Sequence, residues 1–117
     1  MTSSMAQPAF WILTALTGGR RHGYEIMRET AVASEERVRL KATTLYAALD
    51  RLERDRLIRP DGDEIVSGRA RRYYLITNDG SARLAAEVDL LEQSTRAARA
   101  SMSTSRAASA SPRMAVV

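Results

Sequence analysis

Apolar positions along the chain fall into four helical blocks with one short alternating block between the third and the fourth. Phe10, Trp11, Ile12, Leu13 and Leu16 make the first block apolar nearly all round, as in a helix central to a core or shared with a second subunit. Pro8 suits its first turn, where a missing N–H costs nothing, and Gly18-Gly19 closes it. Residues 20–23 read as a connecting turn. A second helix follows, with Tyr24, Met27 and Ala31 at helical spacing, and ends near Ser34. After a polar linker over residues 35–40, a third helix starts at Thr43 or Thr44, either of which supplies a capping hydroxyl. Its Leu45, Leu49 and Leu52 lie within about 60° of one another on a wheel of roughly 3.6 residues per turn. Thr43, Ala47, Asp50 and Arg54 fall opposite, flanked by Thr44, Tyr46 and Arg51.

Leu57 and Ile58 return to the core, and Pro60-Asp61-Gly62-Asp63 carries a turn signature. Residues 64–66 read as a short strand, Ser67-Gly68 as a tight turn and residues 71–76 as the partner strand. Thr77 or Asn78 caps a last helix, with Asp79 placed at the positive end of the helix dipole. That helix is expected over about residues 81–100, where Leu84, Val88 and Leu91 follow i, i+4, i+7 spacing. So few anchors leave a lone helix marginal in water, so it needs a partner surface, in its own subunit or in another. From Ser101 onward, a serine- and alanine-rich composition predicts a disordered tail.

Composition narrows the chemistry. A chain of 117 residues is one domain with some residues outside the core. Without cysteine, disulfides and thiolate metal sites are excluded, and one histidine among scattered carboxylates offers no metal-ligand cluster. The apolar run over residues 8–16 is too short to span a bilayer, and no basic stretch precedes it as in a signal peptide. A soluble, cytoplasmic protein without membrane partners is the default. The net charge of +4 is less informative than it looks: residues 1–92 hold 14 basic and 14 acidic side chains, and the excess is Arg96, Arg99, Arg106 and Arg113. Local balance says more, because residues 37–59 hold seven basic and three acidic groups and residues 67–74 hold three arginines and no acid. A protein neutral on average but basic on one face still accumulates on DNA by releasing counterions.

A helix that buries one face and offers the other, followed by a basic hairpin, is the layout of a winged helix-turn-helix DNA reader. Small side chains at Thr43 and Ala47 let the outer face approach base edges. Thr43 and Thr44 sit where a helix N-terminus meets bases or backbone, Tyr46 offers a hydroxyl to phosphate, and Lys41 and Arg51 offer cationic donors. Arg69, Arg71 and Arg72 form the basic edge of the hairpin. The plainer reading makes these groups an ordinary solvated helix surface and a charged strand edge that resists aggregation. His22 reads as a turn residue bonded to nearby backbone rather than a pH sensor. Phe10 and Trp11 read as core or interface aromatics, with stacking on a flat ligand as the alternative. No phosphate-binding glycine loop and no nucleophile–base pair are present, so neither catalysis nor a cofactor is expected.

The order His22-Gly23-Tyr24, then Thr44-Leu45-Tyr46 through Ile58, then Arg72-Tyr73-Tyr74 through Thr77 and Gly80, resembles the PadR-like transcriptional regulators over roughly residues 8–92. The resemblance implies a mainly α fold with a small β-hairpin: a winged helix over residues 8–77, a dimerisation helix over 78–100, and the tail over 101–117. It implies a homodimeric repressor whose third helix enters the major groove of double-stranded DNA at an inverted repeat. Dimer contacts are expected at Phe10, Leu84, Val88 and Leu91, and a small aromatic inducer at Phe10 and Trp11. Family members usually carry glycine where this chain has Thr43 and Arg56, which leaves the operator sequence open. At a helix C-terminal turn, Arg56 is expected to adopt a left-handed conformation at a cost of roughly 1 kcal/mol or more. The competing reading is a winged-helix protein-interaction module without sequence-specific DNA binding.

Overall fold

The computed structural model describes residues 5–110. The elements run α1 (Gln7–Leu16), β1 (Arg21–His22), α2 (Gly23–Ala33), α3 (Ala42–Arg54), β2 (Ile58–Val66), β3 (Arg69–Ile76) and α4 (Asn78–Ala110). These are the four helices and the hairpin expected of a winged helix-turn-helix, with one added strand. The chain divides into two compact units, residues through Glu87 and residues from Val88.

The core of the first unit is built by the apolar stripes of its helices. Ile12, Leu13 and Leu16 of α1, Ile26 of α2, and Leu45, Leu49 and Leu52 of α3 meet Ile58, Tyr74 and Leu84. Phe10, Met27, Ala48, Leu57 and Ile76 close around them. Burial of side chains this size stabilises by about 1.5–3 kcal/mol each before entropy is counted, so the leucine face of α3 fixes that helix firmly. Leu84 is buried here in its own subunit. It is therefore spent on the monomer core, whereas Val88 and Leu91 remain 37% and 46% exposed.

Three local features depart from the pattern read in the sequence. Residues 20–23 are more than a turn, because Arg21 and His22 pair antiparallel with Tyr74 and Tyr73 and make the sheet order β1-β3-β2. The Pro60–Asp63 segment is not a turn either: it lies inside β2, where a register shift between Pro60 and Asp63 sets Asp61 and Gly62 opposite Tyr73 as a bulge. Proline and glycine mark this irregularity as readily as they mark a chain reversal. The reversal itself falls at Ser67 (φ 53°) and Gly68 (φ 76°), the mirror-image turn that suits the twist of a hairpin. Finally, α3 begins at Ala42 with Lys41 at the cap position and no side-chain capping bond. Neither Thr43 nor Thr44 caps it, because both lie inside the first turn.

Other expectations hold at the level of single bonds. Thr77 Oγ1 accepts from the Gly80 amide at 2.9 Å and donates to the Arg56 carbonyl at 2.8 Å. One hydroxyl thus caps α4 and ties it to the turn after α3. Gly80 is needed there, since a Cβ would meet the Leu57 carbonyl oxygen at 2.1 Å. Arg56 is left-handed, with φ 62°.

The second unit is helical to Ala110, ten residues past the expected end. Alanine, arginine and methionine are strong helix formers, and they outweigh the serines over residues 101–110. The remainder of the expected tail, residues 111–117, lies outside the described residues. Val88, Leu90, Leu91 and Met102 are exposed large apolar side chains. A helix with that surface is marginal by itself, and its pattern fits a dimerisation helix. Among the described residues, no helix is long and apolar enough to cross a membrane.

Candidate nucleic-acid interface

The outer face of α3 is fully available. Lys41, Thr43, Thr44, Tyr46, Ala47, Asp50, Arg51 and Arg54 are all exposed, while Leu45, Leu49 and Leu52 face inward. Because Lys41 makes no side-chain capping bond, the first amides of α3 keep their donors. The hydroxyls of Thr43 and Thr44, not used as caps, are exposed with them.

Helix α2 begins on an uncommon cap. His22 Nδ1 accepts from the Glu25 amide at 3.3 Å, and Glu25 Oε1 accepts from the His22 amide at 3.1 Å, so the pair forms a reciprocal capping box. Next to it, Gly23 brings α2 against α3: a Cβ there would meet the Tyr46 hydroxyl at 3.0 Å and Leu45 Cδ2 at 3.2 Å. This contact explains why a His-Gly-Tyr start to one helix accompanies a Leu-Tyr start to the next. His22 is thereby the backbone-bonded residue its sequence context suggests, buried at 5% exposure.

The wing separates its three arginines. Strand alternation puts Arg69, Arg71 and Tyr73 on one face and Ala70, Arg72 and Tyr74 on the other. Arg71 is half-buried with a guanidinium nitrogen 3.4 Å from His22 Nε2. On the same side, Tyr73 packs edge-on against His22 and carries the Arg20 guanidinium 3.8 Å above its ring. The Tyr73 hydroxyl donates to Glu64 at 2.8 Å, which raises its pKa above the ordinary tyrosine value. Arg72 instead faces α3 across a groove of about 580 Å³ lined by Asp50, Glu53, Arg54 and Arg72. Burial pushes the Tyr74 hydroxyl up in pKa, with the neighbouring Arg72 charge opposing the shift.

Ion pairing distinguishes the cations. Arg20 pairs with Asp61, Arg21 with Glu29, Arg39 with Glu36 and Arg59 with Asp61. Lys41, Arg51, Arg69 and Arg72 form no ion pair among the described residues. These four cations are thus free of direct ion pairs, while Asp50, Glu53 and Asp55 balance the charge of α3 itself, and α3 is flanked by the wing on its Asp50–Glu53 side. Sequence reasoning missed the Arg20–Asp61 and His22–Arg71 links, which join positions 41 and 49 residues apart in the chain. The three-stranded order β1-β3-β2 brings them together.

Phe10 and Trp11 are half-buried and meet edge to face at 5.3 Å between ring centres. A cavity of about 370 Å³ beside α1 is lined by Met5, Pro8, Ala9, Ala48 and Leu52 with Arg51 and Asp55 at α3, and by neither aromatic. Among the described residues no cluster of His, Asp or Glu is placed to hold a metal.

Comparison with known proteins agrees with this geometry. The family model for the transcriptional regulator PadR-like family matches residues 12–86. An uncharacterized protein of Lysinibacillus sphaericus is 36% identical over 73 residues, covering 62% of this chain and 67% of its own. A transcriptional regulator from Clostridium thermocellum is similar in structure with a TM-score of 0.69 and 28% identity, covering 78% of this chain and 88% of its own. A PadR family transcription regulator from Clostridium difficile R20291 has a TM-score of 0.61 and 30% identity, covering 85% of this chain and 97% of its own. Set beside the exposed α3 and its basic wing, these matches show that the chain belongs to the PadR-like family of transcriptional regulators, DNA-binding proteins rather than enzymes.

Proposed function

We propose that this protein is a homodimeric repressor that occupies an inverted-repeat operator within the promoter it controls. PadR-family regulators bind DNA and typically act as dimers. In this chain Val88 and Leu91, exposed on α4, are the contacts offered to a partner, together with Phe10. Each α3 lies in a major groove, with the two half-sites about 34 Å or a multiple of it apart. Thr43, Thr44 and Ala47 meet base edges or the adjoining backbone, while Lys41, Tyr46 and Arg51 hold phosphates. Arg69 and Arg72 reach the flanking backbone, and Arg71 steadies the wing through His22.

The observation that carries this reading is the exposure of Lys41, Arg51, Arg69 and Arg72, none of them ion-paired among the described residues, on and beside a helix face that carries the small Thr43 and Ala47. A flat aromatic compound stacking on Phe10 and Trp11 is the inducer. It releases DNA by binding one dimer geometry more tightly than the other. Fluorescence anisotropy with duplexes from the promoter of the protein's own gene neighbourhood tests the DNA role. Affinity is expected to fall steeply with salt and to depend on sequence, and loss of either dependence refutes it. A promoter–reporter assay decides repression against activation. Quenching of the single tryptophan by aromatic compounds tests the inducer site, and an unresponsive signal removes it.

A further inference from the structure

Along the centre of α3's outer face, Thr43, Ala47 and Asp50 lie within about 60° of one another on the helical wheel. All three are exposed. Two are small, and Asp50 is a carboxylate that only accepts hydrogen bonds. That carboxylate makes no hydrogen bond or ion pair among the described residues. Its own carbonyl oxygen accepts from Arg54 Nε at 3.4 Å, and Arg54 and Arg72 line the groove beside it. Glu53 on the same side is half-buried, and both carboxylates act on Tyr74 at the base of the wing.

A carboxylate facing a duplex is repelled by phosphates, so at the middle of a reading face it needs a base donor to offset that repulsion. The major groove displays two amino donors, cytosine N4 and adenine N6. Adenine N6 sits beside the N7 acceptor, whose lone pair opposes a carboxylate, whereas cytosine offers no acceptor on that edge. We propose that Asp50 is a specificity-determining residue that accepts a hydrogen bond from cytosine N4 in each half-site. Arg54 and Arg72 offset its charge against the nearby phosphates. The inference rests on α3 reading the major groove as proposed above.

The test is selection of binding sites from a random duplex pool by the full chain, by Asp50→Ala and by Asp50→Asn, followed by anisotropy on single-position variants. The wild-type protein is expected to select an inverted repeat with cytosine at one symmetry-related pair of positions. Replacing that cytosine weakens binding roughly 5- to 150-fold. Asp50→Ala loses preference at that pair and keeps the rest of the motif. Asp50→Asn moves the preference to adenine, whose N6 and N7 an amide reads together. An unchanged motif in both variants, or a uniform gain in affinity for every sequence, overturns the assignment and leaves Asp50 a mere repelling charge. A wild-type protein that selects no motif overturns the α3 reading itself, and with it this one. Asp50 is exposed, and matching thermal melts exclude misfolding as the cause of a lost preference.

Discussion

Helix α3 and the β2–β3 wing lie side by side, yet they are held in different ways. Three fully inward leucines fix α3 in the core, so its outer face is displayed with little freedom. The wing is anchored chiefly toward its base, by Ile58, Tyr74, the His22–Tyr73 packing and the Arg20–Asp61 and Arg71–His22 contacts, while every residue from Gly62 to Ile65 and from Ser67 to Ala70 is exposed. Reading bases demands side chains placed to a fraction of an ångström, whereas gripping phosphates tolerates movement because charge acts over several ångströms. The two regions are therefore suited to different halves of recognition.

Four experiments press on that contrast. Leu49→Ala should cost about 2–5 kcal/mol by removing a buried side chain from the centre of the α3 face, read as a fall in melting temperature. If stability barely changes, α3 is not the rigid partner. Replacing Arg69 and Arg72 with alanine should leave melting within about 0.5 kcal/mol of wild type. It should weaken binding to all duplexes alike and reduce the salt slope by about 2. A change in sequence preference instead would give the wing a reading role. Thr77→Ala, which removes the cap joining α4 to the turn after α3, should cost about 1 kcal/mol in chemical denaturation. Arg56→Gly relieves a left-handed arginine but adds freedom to the unfolded chain, for a net gain of about 0.5 kcal/mol by the same measurement.

A smaller effect arises at the base of the wing. Burial raises the Tyr74 pKa in the folded state, so its contribution to stability is complete below the unfolded tyrosine value near 10. It is lost as pH rises through the higher folded value. Melts at about pH 9 and pH 11 should show this decline, and Tyr74→Phe should flatten it.

Much of the frame was legible because it is local. The leucine spacing of α3, the Ser67-Gly68 reversal, the Thr77 cap and the strained Arg56 all depend on residues close in sequence. What escaped was set by distant partners. A two-residue strand such as Arg21–His22 has no periodicity of its own, and only the far side of the sheet makes it one. The wing arginines looked like one basic block, although strand alternation sends Arg71 to His22 and Arg72 to the α3 groove. Leu84 carried the spacing of an interface residue, but the fold encloses it. The start of α3 at Ala42 uses no side-chain cap at all, which a capping rule centred on Thr43 and Thr44 does not anticipate.

The bulge at Asp61 and Gly62 falls where β1 stops, since Tyr73 faces both. On one side of it the ladder is three strands wide, and on the other it is two. The ladder is therefore expected to be stiffer on the inner side of the bulge than on the outer side, where Arg71 against His22 is a remaining tie to the core. Amide hydrogen exchange should mark the boundary: protection close to that of global unfolding at Tyr74 and Ile76, and fast exchange through local opening from Asp63 to Arg71. A duplex that fits the outer wing would slow that exchange without disturbing the helices beneath.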